Sequence, residues 1–221
     1  MLSKPYSKIE TLFERDAKTF KVIEGVYKRP EFSFIDPWLI TEKIDGTNIR
    51  LHFWNDQNDS RLEEEIEYEI GGRTNNAQIP ARLFTVLKET ADKIRGGVGN
   101  LMSAYDLKTL TIYGEGYGSS IQKGGGNYAP EPRFAAFDML IDNIAWLSQG
   151  QVQQNCFELG LEMVPIIGRM TREAVVGIVA NDHFYSSYGD FPAEGVVARP
   201  PAELRDFRNK RVCWKLKHKD F

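Results

Sequence analysis

The sequence has few of the residues that staple or ligate. It holds 2 cysteines in 221 residues, too few for a disulfide framework. With only 3 histidines, those cysteines form no cluster at zinc spacing. No apolar run approaches the roughly 18 residues that a membrane helix needs. The opening stretch, MLSKPYSKIETLFERD, lacks the apolar segment of a signal peptide. Basic residues are not in excess either: 31 acidic against 28 basic side chains leave a net charge of -3. These absences speak against a secreted disulfide scaffold, a zinc module, a helical membrane protein and a globally basic nucleic-acid binder. They imply a soluble, cytoplasmic protein in a reducing compartment. Any contact with nucleic acid then has to come from a local patch.

What is present is enough for a core. Hydrophobic residues make up 42% and aromatic residues 12%, which argues against disorder. A chain of this length hides about 70–75% of its unfolded surface. No repeat or low-complexity tract interrupts it, and no linker divides it, so a single domain is expected over residues 1–221. Trp38 to Thr41 reads as a strand. Thr47 to Trp54 alternates, with Thr47, Ile49, Leu51 and Phe53 on one face and Asn48, Arg50 and His52 on the other. Glu63 to Glu69 carries five glutamates and reads as a solvated edge or loop. Pro80 opens a helical pattern through Leu83, Phe84, Leu87 and Ile94 that is expected to stop at Gly96-Gly97. Leu110 to Tyr113 reads as a strand ending in a glycine turn, residues 119–132 as a loop, and Phe134 to Ile141 as a strand. Ser148 and Gln151 fit a capping box for a helix that stops at Gly160. Thr171 fits the cap of a helix to Val179. Gly195 to Ala198 and Val212 to Leu216 close the chain as strands. Strands outnumber helices without alternating regularly with them, which favours an α+β fold over a doubly wound parallel sheet.

Five segments carry chemistry. Glu42-Lys43-Ile44-Asp45-Gly46-Thr47-Asn48 sets a lysine at a strand end before an Asp-Gly turn; alone, this is an ordinary hairpin signal. Tyr113-Gly114-Glu115-Gly116 adds a carboxylate after a strand, and Phe134-Ala135-Ala136-Phe137-Asp138 adds aromatics on a strand. Glu194-Gly195-Val196-Val197 sets a carboxylate before a β-branched pair. Lys215-Leu216-Lys217 puts two cations on one strand face, which cannot be core without paired charges.

In this order, from Glu42 to Lys217, the segments resemble the covalent nucleotidyltransferase superfamily of ATP-dependent DNA and RNA ligases and mRNA-capping enzymes. The string Glu42-Lys43-x-Asp45-Gly46-Thr47-Asn48, followed by Gly72-Arg73-Thr74-Asn75, is most similar to RNA ligases of the second phage type, the group that includes RNA-editing ligases. The resemblance implies two mainly antiparallel sheets flanked by helices, with the nucleotide in the groove between them. It implies an ATP-dependent RNA ligase that uses Mg²⁺ or Mn²⁺ and acts on RNA 5′-phosphate and 3′-hydroxyl ends. Asp45 departs from some close members of that group, which carry His there, and keeps the residue typical of the superfamily. The chain ends four residues beyond Lys217, so no C-terminal OB-fold or other accessory domain is expected. A separate chain supplying end recognition stays open.

By resemblance Lys43 is the nucleophile that takes AMP. A lysine with the reference pKa of about 10.4 needs about 4 kcal/mol of differential interaction to fall three units. Neighbouring cations and a divalent ion act that way. Lys215 and Lys217 supply such cations and neutralise phosphate charge. Asp45 would pull the other way, so its expected part is to orient. Glu194 is the expected metal ligand, as a hard carboxylate suits Mg²⁺ or Mn²⁺. Glu115 is expected to bind the ribose or to help organise the site, Glu42 to read the adenine edge, and Asn48 and Arg73 to contact phosphate, either of ATP or of the nucleic-acid end. Phe134 is expected to stack on adenine. Phe137, facing the other way on a regular strand, is expected in the core. Three further readings are weighed: a minimal DNA nick ligase, against which Asn48 argues, a GTP-using capping enzyme, and a metabolic enzyme with an incidental Lys-x-Asp-Gly turn. A non-catalytic module that binds nucleic-acid ends is the reading from a different class.

Leu204 to Phe221 holds Arg205, Arg208, Lys210, Arg211, Lys215, Lys217 and Lys219 against Asp206 and Asp220, a local charge of +5. Such a strip steers a polyanion without making the whole chain basic. Gly114-Glu115-Gly116-Tyr117-Gly118-Ser119 lacks the last glycine of a dinucleotide fingerprint. Lys123-Gly124-Gly125-Gly126 lacks the order of a P-loop, and its segment is expected to be a mobile loop.

Overall fold

The computed structural model describes residues 3–55, 66–181 and 184–221. The strands of the first half are β1 (Glu10–Thr11), β2 (Phe13–Arg15), β3 (Val22–Tyr27), β4 (Trp38–Glu42), β5 (Thr47–Asn55) and β6 (Ile66–Gly72). Helix α1 (Ala81–Ala104), β7 (Thr109–Tyr117), β8 (Arg133–Ile141), β9 (Ala145–Trp146) and α2 (Gln149–Leu159) follow. The chain closes with β10 (Ile166–Met170), α3 (Arg172–Ala180), β11 (Gly195–Arg199) and β12 (Trp214–Lys217). The α+β class expected from the strand-rich pattern is the one found. Among the described residues, no helix is long and apolar enough to cross a membrane.

The chain forms two compact units, one of Met1–Ser7 with Asp45–Met163 and one of Lys8–Ile44 with Val164–Phe221. In the first, an antiparallel sheet runs β6-β5-β7-β8-β9. Ile49, Leu51 and Phe53 on β5 and Leu110 and Ile112 on β7 share a core with α1 and α2. Helix α1 buries Leu83, Leu87, Ala91, Ile94, Val98 and Met102, a stripe at helical spacing, while Phe84 lies off that stripe and is 44% exposed. Edge strand β6 exposes Glu67 and Glu69, as the glutamate run suggested, and Glu63 to Glu65 lie outside the described residues.

In the second unit, a sheet runs β1-β12-β11-β4-β10. Its pairs are antiparallel except β1 with β12. Trp38 and Ile40 of β4, Val196 and Ala198 of β11, and Trp214 and Leu216 of β12 are wholly buried, packed with Val175 and Val179 of α3. A β2–β3 hairpin completes this unit.

Two boundaries differ from the sequence reading. Helix α1 continues through Gly96-Gly97 to Ala104. The packing of Val98 and Met102 offsets a glycine cost of about 1 kcal/mol each. Strand β7 likewise continues through Gly114 and Gly116 to Tyr117. Those glycines mark close approach instead of a turn. A Cβ at Gly114 would meet the Phe134 ring at 2.4 Å, and one at Gly116 would meet Leu83 Cδ2 at 2.5 Å.

Candidate active site

Four of the expected residues come together in the second unit. Lys43 follows β4, Glu194 precedes β11, and Lys215 and Lys217 stand on β12. Register pairs Gly195 with Lys217 and Val197 with Lys215. The Lys43 N–H donates to the Gly195 carbonyl at 2.9 Å, and the His218 N–H donates to the Glu194 carbonyl at 3.0 Å. Gly195 takes φ 151°, and a Cβ there would lie 2.1 Å from the Leu216 carbonyl oxygen. Only glycine allows this pairing, which is why Glu194 is followed by one. Trp214 and Leu216 point into the core, so Lys215 and Lys217 emerge on the opposite face.

Glu194 bridges two cations. Its Oε2 accepts from Lys43 Nζ at 2.5 Å, and its Oε1 accepts from Lys217 Nζ. Among the described residues, Lys215 forms no such pair, and it is half-buried. Burial, followed by repulsion from Lys217, Lys43 and Lys8, brings its ammonium down to about 8, with Glu194 pulling the other way. The cluster is a group of three cations with one carboxylate at its centre, suited to a polyphosphate.

Glu42 is only 2% exposed. Its Oε1 accepts from the Ser186 hydroxyl at 2.5 Å and its Oε2 from the Ser187 N–H at 2.8 Å. It therefore fastens the Ser186–Ser187 segment to the residue beside Lys43. The two serines gave no signal in the sequence, because they lie more than 140 positions away.

The chain passes into the other unit after Ile44, within the same motif. There the Asp45-Gly46 turn meets the 119–132 loop. The Asp45 N–H donates to the Tyr128 hydroxyl at 3.4 Å, and Gln122 Nε2 donates to the Gly46 carbonyl at 3.0 Å. A Cβ at Gly46 would strike the Gly116 carbonyl oxygen at 2.3 Å. The loop expected to be free-moving is thus tied to the motif turn.

Asn48 stands opposite Glu115 in the β5–β7 ladder, and its Oδ1 is buried without a hydrogen-bond partner among the described residues. Two residues on, Arg50 is 2% exposed and donates from Nη2 to Asn75 Oδ1 at 2.5 Å. Gly71 makes room for it, since a Cβ there would lie 2.6 Å from Arg50 Nε. Arg50 thus holds the loop that presents the exposed Arg73. The alternation of Asn48, Arg50 and His52 was its only trace in the sequence.

The aromatic pair differs from expectation. Phe134 is 6% exposed and belongs to the core shared with α1 and α2. It pairs with Gly116, on the face opposite Asn48 and Glu115. An irregularity in the β7–β8 register falls at Tyr113/Gly114. Phe137 meets the Tyr6 ring edge to face, with centroids 5.1 Å apart, and Tyr6 also contacts Tyr113. The two phenylalanine rings face opposite ways and both are buried: Phe137 is core as expected, and Phe134, contrary to its expected stacking role, is packed against the helices. Tyr6 also donates from its hydroxyl to Asp138 Oδ2 at 2.5 Å.

Among the described residues, no three His, Cys, Asp or Glu side chains gather as a metal cage. Glu194 is a single hard carboxylate. That fits a Mg²⁺ or Mn²⁺ ion which takes its remaining ligands from phosphate and water.

The RNA ligase family profile matches residues 36–217, and the chain belongs to that family. An unliganded variant of Naegleria gruberi RNA ligase is similar in structure, with TM-score 0.57 and 17% identity over 83% of this chain and 50% of its own. A variant of that enzyme with ATP and Mn gives TM-score 0.58 and 17% identity over 99% of this chain and 64% of its own. A candidate ATP-dependent DNA ligase from Aquifex aeolicus gives 0.57 and 20% over 96% and 49%. The chain thus spans between about half and two thirds of the length of these proteins. No curated protein matches it.

Proposed function

We propose that the chain acts as one adenylation domain of an ATP-dependent RNA ligase in the cytoplasm, with Lys43 as the residue that takes AMP. The observation that carries this reading is the Lys43–Glu194–Lys217 bridge with Lys215 beside it. In the first step Lys43 Nζ, once it has lost its proton, bonds to the α-phosphorus of ATP. The bond from that phosphorus to the bridging oxygen breaks, and pyrophosphate leaves. A 5′-phosphate oxygen of RNA then takes the AMP from Lys43. Last, a 3′-hydroxyl bonds to that 5′-phosphorus, its proton passing to solvent, and AMP departs with the electron pair of the broken bond.

Lys215 and Lys217 neutralise the charge that grows on the phosphate oxygens. Glu194 holds Lys43 in position, and it would hold the Mg²⁺ or Mn²⁺ ion. Bound there, that ion would supply charge neutralisation for the leaving pyrophosphate. By the family resemblance, Asn48 through its side-chain amide N–H and Arg73 are the proposed phosphate contacts and Glu115 the proposed ribose contact, with Asp45 orienting the motif turn. The core packing of Phe134 leaves adenine stacking without support at that position. RNA is the proposed polynucleotide, and DNA is the alternative. Sealing of a nicked duplex whose broken strand is RNA, in competition with the all-DNA equivalent, separates the two. Preferential sealing of the DNA nick would overturn the RNA assignment.

A further inference from the structure

The segment from Leu204 to Val212 is a tight, self-braced turn. The Val212 N–H donates to the Leu204 carbonyl at 2.8 Å, and the Asp206 N–H donates to the Lys210 carbonyl at 2.8 Å. Asp206 Oδ1 accepts the N–H groups of Arg208 and Lys210, both at 2.8 Å. These backbone donors hold the Asp206 carboxyl below its ordinary range, so it stays an anion. Its other oxygen accepts from Arg29 Nη2 at 3.0 Å. Arg211 is committed to Glu203 through two bonds, at 2.8 and 2.9 Å.

The tip of this braced turn carries Phe207, 88% exposed and outside both hydrophobic cores. The Arg208 guanidinium carbon lies 5.1 Å from its ring centroid. Arg208 and Lys210 form no ion pair among the described residues, and the acid of the turn is already taken by Arg29. Neither core uses the ring, and neither charge is held in an ion pair, although Lys210 also acts at a distance on Asp206. An exposed apolar ring flanked by cations outside any ion pair, on a hydrogen-bonded turn, matches one kind of partner. An apolar protein surface would have to desolvate the cations, whereas a single-stranded polynucleotide satisfies both at once.

We propose that the Phe207 tip is a contact site for single-stranded RNA. The ring stacks on one unpaired base, and Arg208 and Lys210 take the flanking phosphates. This rests on the reading that the partner is a polynucleotide, but it concerns binding alone and no step at Lys43. It also gives a task to part of the basic strip that the lysine cluster does not use.

The test is fluorescence anisotropy of the full chain with a 5′-phosphorylated, 3′-labelled single-stranded RNA of about 12 nucleotides. Phe207→Ala weakens binding about tenfold, and Phe207→Trp restores it. The double variant Arg208→Gln, Lys210→Gln lowers the slope of log affinity against log salt by about 1.4, for two phosphate contacts on a single strand. Thermal unfolding verifies that Phe207→Ala is folded, as its exposed ring predicts. Parental affinity in Phe207→Ala, restoration by Phe207→Leu as complete as by Phe207→Trp, or an unchanged salt slope overturns the proposal. Intact mass of the parent after ATP separates the two readings. Binding through Phe207 without a covalent adenylate would sink the ligase and leave the tip standing. An adenylate with Phe207 irrelevant to RNA would do the reverse.

Discussion

Lys215 sets the pH behaviour expected of the lysine wall. Below about 8 it is a cation able to neutralise phosphate, and above that value it is neutral. AMP incorporation should therefore fall as pH rises through about 8. Lys215→Arg, whose guanidinium keeps its proton, should remove that limb from the pH profile. An unmoved limb would assign it to another group. Glu194 raises the Lys215 pKa, so Glu194→Gln should shift the limb to lower pH, and a shift to higher pH would contradict the electrostatic account. The folded pKa lies below the ordinary lysine value of 10.5, so the unfolded chain holds this proton longer. Stability from this group rises with pH between about 8 and 10.5. Lys215→Met should accordingly stabilise the chain below that window and make no difference above it, as read by denaturant midpoints. The sequence showed that Lys215 and Lys217 share a face, because alternation is local. It could not show that Glu194 would bridge Lys43 and Lys217, since that depends on the pairing of β11 with β12.

Glycine placement separates what an element decides from what its packing decides. Ser148 with Gln151 and the left-handed Gly160 bound α2 as their local chemistry requires, so that helix was legible at both ends. Gly96-Gly97 and Gly114-x-Gly116 read as stops, yet a helix and a strand run through them. Propensity there is overridden by α1 packing on the sheet, which no local pattern reports. Two substitutions measure this. A Cβ at Gly96 would have no described atom within 4 Å, and φ there is not positive, so Gly96→Ala should stabilise by about 0.5–1 kcal/mol. At Gly114 a Cβ would also meet the Ala135 carbonyl oxygen at 2.5 Å, so Gly114→Ala should destabilise by about 1–3 kcal/mol. Equal effects in urea melts would show that packing does not decide these positions. Phe134 and Phe137 teach the same lesson. Alternation gave their opposite directions, but both sides are buried, Phe134 against α1 and α2 and Phe137 against Tyr6.

Across the whole molecule, the class and the order of the chemistry-bearing segments were readable, because each segment is short and local. The tertiary ties were not: Glu42 to Ser186 and Ser187, Arg50 to Asn75, and Tyr128 and Gln122 to the motif turn all join residues distant in sequence. The Asp206 turn was read only as a basic strip, since its bracing by Arg29 joins residues 177 positions apart. The proposal at the centre of the lysine cluster is that Lys43 takes AMP from ATP. Intact-protein mass after incubation with ATP and Mg²⁺ or Mn²⁺, beside Lys43→Ala, tests it most directly, with the starting material checked for AMP already attached. The account predicts one AMP on the parent and none on the variant. An adenylate formed by Lys43→Ala at the parental rate, or a parent that never carries AMP, would contradict it.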